Sequence, residues 1–272
     1  MPEGVFAGKR VVLTGASSGL GAVLAQELAR RGARLALLAR DQGKLDAVGE
    51  SCRADGAEVL CVSGDVTVEA DCRALVQAAA EAWDGIDHLV ANAGASMWAR
   101  FEDIEDLSVF RRLIEVNYLG AVHCVHFALP HLRQSKGLFT AVSSIQGKIG
   151  VPLHTGYVAA KHALQGFCTT LRMELEGSGV EVLTVMPHWL QGTNLRQSAL
   201  GGDGRQLGPS SRKHSKESVT LEQASAWMLE AMAERRRELV FPWKLKALVA
   251  LNVVAPQRAE ALIKGAVDKQ DK

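Results

Sequence analysis

Short, continuously apolar runs alternate with longer stretches whose apolar residues recur every three or four positions. The run RVVLT at residues 10–14 has no polar interruption after Arg10, which predicts a strand covered on both faces. A helix is predicted over residues 21–32, closed by Gly32. Further strands are predicted at residues 33–39, 57–62, 87–92, 138–143, 180–186 and 238–242. Helical periodicity fills the intervals, with a long helical region over residues 106–135. Another helix starts at Thr220, where Thr220 and Gln223 have the spacing of a capping box. Strand and helix alternate throughout, and the strands are apolar runs rather than alternating ones. The pattern predicts an α/β fold: one doubly wound domain over residues 1–272, with a mostly parallel seven-stranded sheet flanked by helices.

Two stretches depart from this rhythm. Residues 198–218 are rich in Gly and Ser and read as a mobile loop, the centre of a substrate loop over residues 190–219. Residues 243–272 form an apolar and basic extension. It reads as a helix or helix pair packed on the body or on a partner subunit, or as a peripheral contact with lipid or a lipophilic substrate.

Composition narrows the functional classes. The 31 basic and 30 acidic side chains nearly cancel, which argues against nucleic-acid binding. Five cysteines without a CxxC pair suggest neither a disulfide framework nor a structural zinc site, and a cytoplasmic location is expected. The N-terminus lacks the apolar core of a signal peptide, and no apolar run is long enough to span a bilayer. His123, Cys124, His126 and His131 share one predicted helix but lack a converging third ligand, so no metal site is expected.

Chemistry first appears at TGASSGLG, residues 14–21, between the first strand and the first helix. Gly15 suits a tight turn, Gly19 leaves room for a pyrophosphate, and Gly21 allows the helix to approach the sheet. Ser17, Ser18 and the amides at Leu20 and beyond offer donors to an anion at the helix start. The second strand ends in Ala39 and Arg40, about 20 residues past this loop. An acidic residue there would favour NAD, and an arginine favours NADP, so NADP is expected. The alternative is that Arg40 merely pairs with a surface carboxylate. Asp65 and Val66 after the third strand, and Asn92, Ala93 and Gly94 after the fourth, are placed to border the adenine and ribose.

Tyr157 and Lys161 lie four residues apart on a predicted helix, hence on one face. Alone, such a pair is either an ordinary helix-surface contact or an acid/base device. Ser144 lies at the carboxyl end of the fifth strand, where ligands sit in a parallel sheet. Taken in order, TGASSGLG (14–21), GDV (64–66), ANAG (91–94), VNYLG (116–120), SSIQG (143–147) and YVAAK (157–161) resemble the short-chain dehydrogenase/reductase family. The resemblance implies a Rossmann-type sheet, a nicotinamide cofactor and a catalytic group of Asn117, Ser144, Tyr157 and Lys161. It also implies a homodimer or homotetramer.

In that family's terms Tyr157 exchanges a proton with the substrate oxygen, Ser144 holds that oxygen, and Lys161 binds the cofactor ribose. A lysine cation and an oxidised nicotinamide ring are expected to lower the tyrosine pKa. Asn117 is expected to hold a water linking Lys161 to solvent. After Pro187, expected at the cofactor, the family's usual glycine is His188, and Gly192 stands where a threonine is expected, with Thr193 next to it. His188 and Trp189 are therefore assigned to the substrate pocket. The expectation is an NADP-dependent oxidoreductase interconverting a carbonyl and a secondary alcohol, acting on a hydrophobic, lipid- or steroid-like ketone. The rival is a non-catalytic NADP-binding regulator on the same fold.

Overall fold

The computed structural model describes residues 4–209 and 218–268. Seven strands form one sheet: β1 (Arg10–Thr14), β2 (Arg34–Ala39), β3 (Val59–Ser63), β4 (His88–Ala91), β5 (Leu138–Val142), β6 (Glu181–Pro187) and β7 (Glu238–Phe241). Their order is β3-β2-β1-β4-β5-β6-β7, and every neighbouring pair is parallel. The chain winds outward from β1 in one direction, then returns to β4 and winds outward in the other. A crevice opens where the direction reverses, above the carboxyl ends of β1 and β4.

The central strands are continuously apolar because both faces are covered. On one face pack α1 (Gly19–Ala29), α2 (Gln42–Ala54) and α7 (Leu221–Ala233), with Leu24, Leu28, Leu45 and Met228 against Leu13, Leu35 and Val185. On the other pack α3 (Glu69–Trp83), α5 (Gly120–Ser135) and α6 (Thr155–Glu174), with Leu75, Cys124 and Leu164 against Val12, Leu89 and Phe139. Fully burying such a side chain contributes about 1.5–3 kcal/mol. The two layers therefore fix the sheet and, with it, the positions of the strand ends. Away from the crevice, Arg10 grips Asp87 through its Nε at 2.8 Å and so ties the lower ends of β1 and β4. The capping box of Thr220 and Gln223 starts α7 as its spacing predicts.

Two segments differ from the sequence reading. The long helical region is not uniform: α4 (Ser108–Ile114) passes into a π-helical turn at Glu115–Leu119 before α5 begins. The Gly120 amide reaches back to the Glu115 carbonyl, five residues away, and this widened turn carries Asn117. The described part of the glycine-rich loop is pinned rather than free. Leu200 is 2% exposed and bridges Met97, with its amide on the Ser96 carbonyl at 2.9 Å. A side chain at Gly202 would meet the Asp103 carbonyl at 2.1 Å, so this glycine serves close packing. Residues 210–217 of the expected mobile loop lie outside the described residues.

The C-terminal extension is a helix pair, α8 (Leu245–Val254) and α9 (Pro256–Asp268). Leu245 and Ile263 seat it on Ile145, Met186 and Val240, while Trp243, Val253, Val254 and Leu262 stay exposed. Among the described residues no helix is long and apolar enough to cross a membrane.

Candidate active site

The crevice is a single cleft of about 950 Å³ running from the end of β2 to the helix pair of α4 and α6. Its centre is the glycine turn. Gly15 has φ +68°, and a side chain there would strike the Ala93 backbone at 2.8 Å. A side chain at Gly21 would strike the Gly15 carbonyl at 2.2 Å. Both are excluded because β1, α1 and the end of β4 converge here. Gly19, at φ +56°, is less crowded: a side chain there would meet Thr193 at 3.8 Å, an ordinary contact. Ser18 stands at the start of α1 with no side-chain cap, so the helix start that borders the cleft has no capping group of its own. An anion fits that deficit. Ser17 and Leu20 also line this part of the cleft.

Asn92 braces the turn. Its Nδ2 donates to the carbonyls of Thr14 at 3.0 Å and Gly15 at 3.2 Å, and Thr14 Oγ1 accepts from the amides of Asn92 and Ala93. Ala91, where the resembled family often has asparagine, therefore leaves the β1–β4 contact intact.

At the β2 end, Arg40 lines the cleft with its side chain 70% exposed and lies 3.8 Å from Asp65. Such an exposed pair is worth about 0–1 kcal/mol, too little to hold the arginine away from a ligand. Asp41 lines the same end of the cleft. It caps α2 by accepting from the Lys44 amide and pairs with Lys44 Nζ at 2.8 Å, contacts that lower its pKa. Lys44, which sequence reasoning missed, also lines this end. Val66 packs against Gly120, where any side chain would meet it at 2.8 Å.

The other end gathers Asn117, Ser144, Tyr157 and Lys161 along one wall, with Gly94 and Pro187 beside them. Ser144 sits at the end of β5 and caps a short turn, accepting from the Gln146 amide at 3.2 Å. Its hydroxyl also approaches the Pro187 carbonyl at 3.5 Å. Lys161 Nζ donates to the Val142 carbonyl at 2.9 Å and lies 5.6 Å from the centre of the Tyr157 ring. Asn117 donates to the carbonyls of Ala95 at 2.9 Å and Leu113 at 3.0 Å. A side chain at Gly94 would meet Asn117 Oδ1 at 3.1 Å and Lys161 Nζ at 3.8 Å, which keeps these groups packed together.

Burial dominates the tyrosine and the lysine in this structure. Tyr157 is 7% exposed and Lys161 3%. Burial pushes the phenol up to about 12, against a smaller lowering by its hydrogen bond with Ser144. Burial likewise pushes Lys161 down to about 7. Both charged forms lose hydration, and the lysine's hydrogen bond goes to a neutral carbonyl, so desolvation dominates both shifts.

Beyond Tyr157 the wall is aromatic. The His154 ring stands 6.2 Å from Tyr157, 4.9 Å from Trp98 and 6.0 Å from Trp189, and His188 lies 6.0 Å from Trp189. His188 is partly buried, which lowers its pKa to about 4 and keeps it neutral. Trp98 and His154 were not foreseen. The only sequence signal for His154 was its place three residues before Tyr157. Thr193 does line the cleft, above the glycine turn.

A family model described as short chain dehydrogenase matches residues 9–201. The chain belongs to the short-chain dehydrogenase/reductase family. Within that family it is 42% identical over 194 residues to 11-beta-hydroxysteroid dehydrogenase-like 4A of Arabidopsis thaliana, a match covering 71% of this chain. That match spans only 64% of the Arabidopsis protein's length. Similarity to the Dictyostelium discoideum dehydrogenase/reductase SDR family protein 7-like is lower, at 32%, but extends over 96% of this chain and 82% of that one. Among solved structures, a Burkholderia phymatum short-chain dehydrogenase/reductase in complex with NAD superposes with a TM-score of 0.81 at 26% identity, covering 94% of this chain and 96% of that one. A Thermococcus sibiricus alcohol dehydrogenase complexed with 5-hydroxy-NADP gives 0.72 at 26% identity, covering 86% and 95%.

Proposed function

We propose that the protein is an NADP-dependent oxidoreductase that reduces a hydrophobic, lipid- or steroid-like ketone to a secondary alcohol. The observation that carries this reading is the convergence of Ser144, Tyr157 and Lys161 between the glycine turn and an aromatic pocket. A binding module has no use for a proton donor at that point.

The residues present fit a dinucleotide. The glycine turn and the uncapped start of α1 suit its pyrophosphate, and Asp65 and Val66 suit the adenine. Arg40 suits a 2′-phosphate, and Asp41, beside it, is paired with Lys44 and caps α2. These features support NADP over NAD. The nicotinamide supplies hydride when bound. Ser144 donates a hydrogen bond to the substrate carbonyl oxygen and orients it. Tyr157 then delivers a proton to that oxygen. The phenol, pushed up by burial, is protonated near neutral pH, the state in which it can give a proton. Lys161, poised near 7, exchanges protons readily and restores the phenol. Asn117 holds the Gly94–Ala95 backbone and the floor beneath Lys161.

The steroid-like substrate class rests on the names of relatives such as the Arabidopsis protein and on the pocket's Trp98, His154 and Trp189. The exposed Trp243, Val253, Val254 and Leu262 support a contact of the helix pair with lipid or with a second subunit. Vesicle flotation and sedimentation distinguish the two. The main test incubates purified protein with NADPH or NADH and a panel of alicyclic and polycyclic ketones, following cofactor absorbance. Turnover with NADPH supports the reading; tight NADPH binding without turnover on any ketone overturns it.

A further inference from the structure

The carboxyl ends of β5 and β6 lie side by side at the reaction centre. Val142 is in register with Val185, and the Ser143 amide donates to the Val185 carbonyl at 2.8 Å. Ser144 follows, and its Oγ accepts from the Gln146 amide at 3.2 Å and lies 3.5 Å from the Pro187 carbonyl. These contacts make Gln146, and His188 just after Pro187, immediate neighbours of the hydroxyl assigned to the substrate oxygen. Both residues line the cleft.

The Gln146 side chain has hydrogen-bonding capacity that the fold leaves unused. It is 8% exposed, and its Oε1 is buried without a hydrogen-bond partner. Buried amides are as a rule paired, because an unmade bond costs the desolvation of the group. An apolar side chain of the same length would fill this space without that cost. A half turn of the carboxamide about its last bond exchanges oxygen for N–H, so the group can accept from a ligand or donate to it. His188 is partly buried, and burial alone lowers its pKa to about 4. The ring is therefore neutral and carries one N–H and one bare nitrogen. Neither group offers a countercharge, so both suit a neutral polar atom. A ketone with only hydrocarbon beside its carbonyl would dehydrate the pair and return no hydrogen bond.

Resting on the reading above, we infer that Gln146, with His188, is the specificity device that recognises a second, neutral oxygen on the ketone, one or two carbons from the reacting carbonyl. The short span follows from the geometry: Ser144 holds the carbonyl, and the two side chains arise at the contacts of its hydroxyl. The substrate class is then a ketol, an alkoxyketone or a diketone rather than a plain hydrocarbon ketone.

The test exchanges one methylene for oxygen. Propiophenones carrying methoxy on the α or the β carbon are each compared with the ethyl analogue, which has the same shape and no acceptor. These ethers do not react with NADP+, so binding to the protein–NADP+ complex is read by calorimetry, and turnover is read separately with NADPH. The better ether should bind about fivefold or more tightly than its ethyl analogue, as a neutral hydrogen bond provides. Gln146→Met keeps the length, removes the amide and should bring that ratio to about one; His188→Phe should lower it. A wild-type ratio of one at both positions overturns the inference, whether or not any ketone is turned over and whether or not the variants fold. A Gln146→Met protein that holds NADP+ and keeps the wild-type ratio overturns it as well, and a His188→Phe protein that does so overturns the part given to His188. Ether-selective, Gln146-dependent binding without turnover supports the subsite while removing the reductase reading.

Discussion

Lys161 offers a test of the site's energetics that needs no substrate. Its ammonium is 3% exposed, donates to the Val142 carbonyl, and is pushed from 10.5 down to about 7 by burial. Between these two values the unfolded chain holds a proton on this lysine that the folded chain gives up more easily. The unfolded state therefore binds more protons, and stability rises with pH across that window. At about 1.4 kcal/mol for each tenfold difference in proton affinity, the buried lysine costs the cofactor-free fold about 4 kcal/mol at pH 7. The cost fades as pH approaches 10.5. Lys161→Met removes the charge and keeps the length, at the loss of one hydrogen bond worth about 1–3 kcal/mol. Urea denaturation of wild type and variant across the window gives the difference directly, since other titrating groups cancel. The wild type should gain about 4 kcal/mol relative to the variant between pH 7 and 10.5, within a factor of two. Parallel stability curves would refute the reasoning, because the lysine would then be as well solvated in the fold as in the unfolded chain.

Other substitutions probe neighbouring parts of the site. Ser144→Ala removes the donor to the substrate oxygen and should lower kcat roughly 100–1,000-fold with a smaller change in KM. Arg40→Ala should weaken NADPH binding about tenfold or more, the worth of a charge-assisted contact, and leave NADH binding unchanged in a titration of cofactor fluorescence. Gly21→Ala places a side chain 2.2 Å from the Gly15 carbonyl. It should destabilise the fold by about 1–3 kcal/mol in urea titration and weaken binding of either dinucleotide.

Much of the architecture is legible in the sequence because burial on both faces of a parallel sheet forces strands such as Leu35–Leu38 to be apolar without interruption. The glycine turn is legible for a similar reason: at Gly15 and Gly21 backbone occupies the space of any side chain. What escaped depends on packing between distant segments. The widened turn around Asn117 is made of residues that suit an ordinary helix, so no local pattern marks it. Gly202 reads as a flexible position until the Asp103 carbonyl is seen against it. Trp98, His154 and Arg196 meet Trp189 from three separate segments, a juxtaposition no spacing encodes. The burial that raises the Tyr157 phenol is likewise set by packing around it and by no local spacing.

In the proposed reaction the Tyr157 hydroxyl delivers the proton to the substrate oxygen. Replacing Tyr157 by Phe removes that one oxygen and keeps the ring that packs beside His154 and Met97. Single-turnover reduction of a ketone by pre-bound NADPH, measured beside NADPH affinity, isolates it. The variant should keep an NADPH affinity within a few-fold of wild type and lose at least about 100-fold in hydride-transfer rate. A Tyr157→Phe protein that reduces its ketone at the wild-type rate would contradict that role.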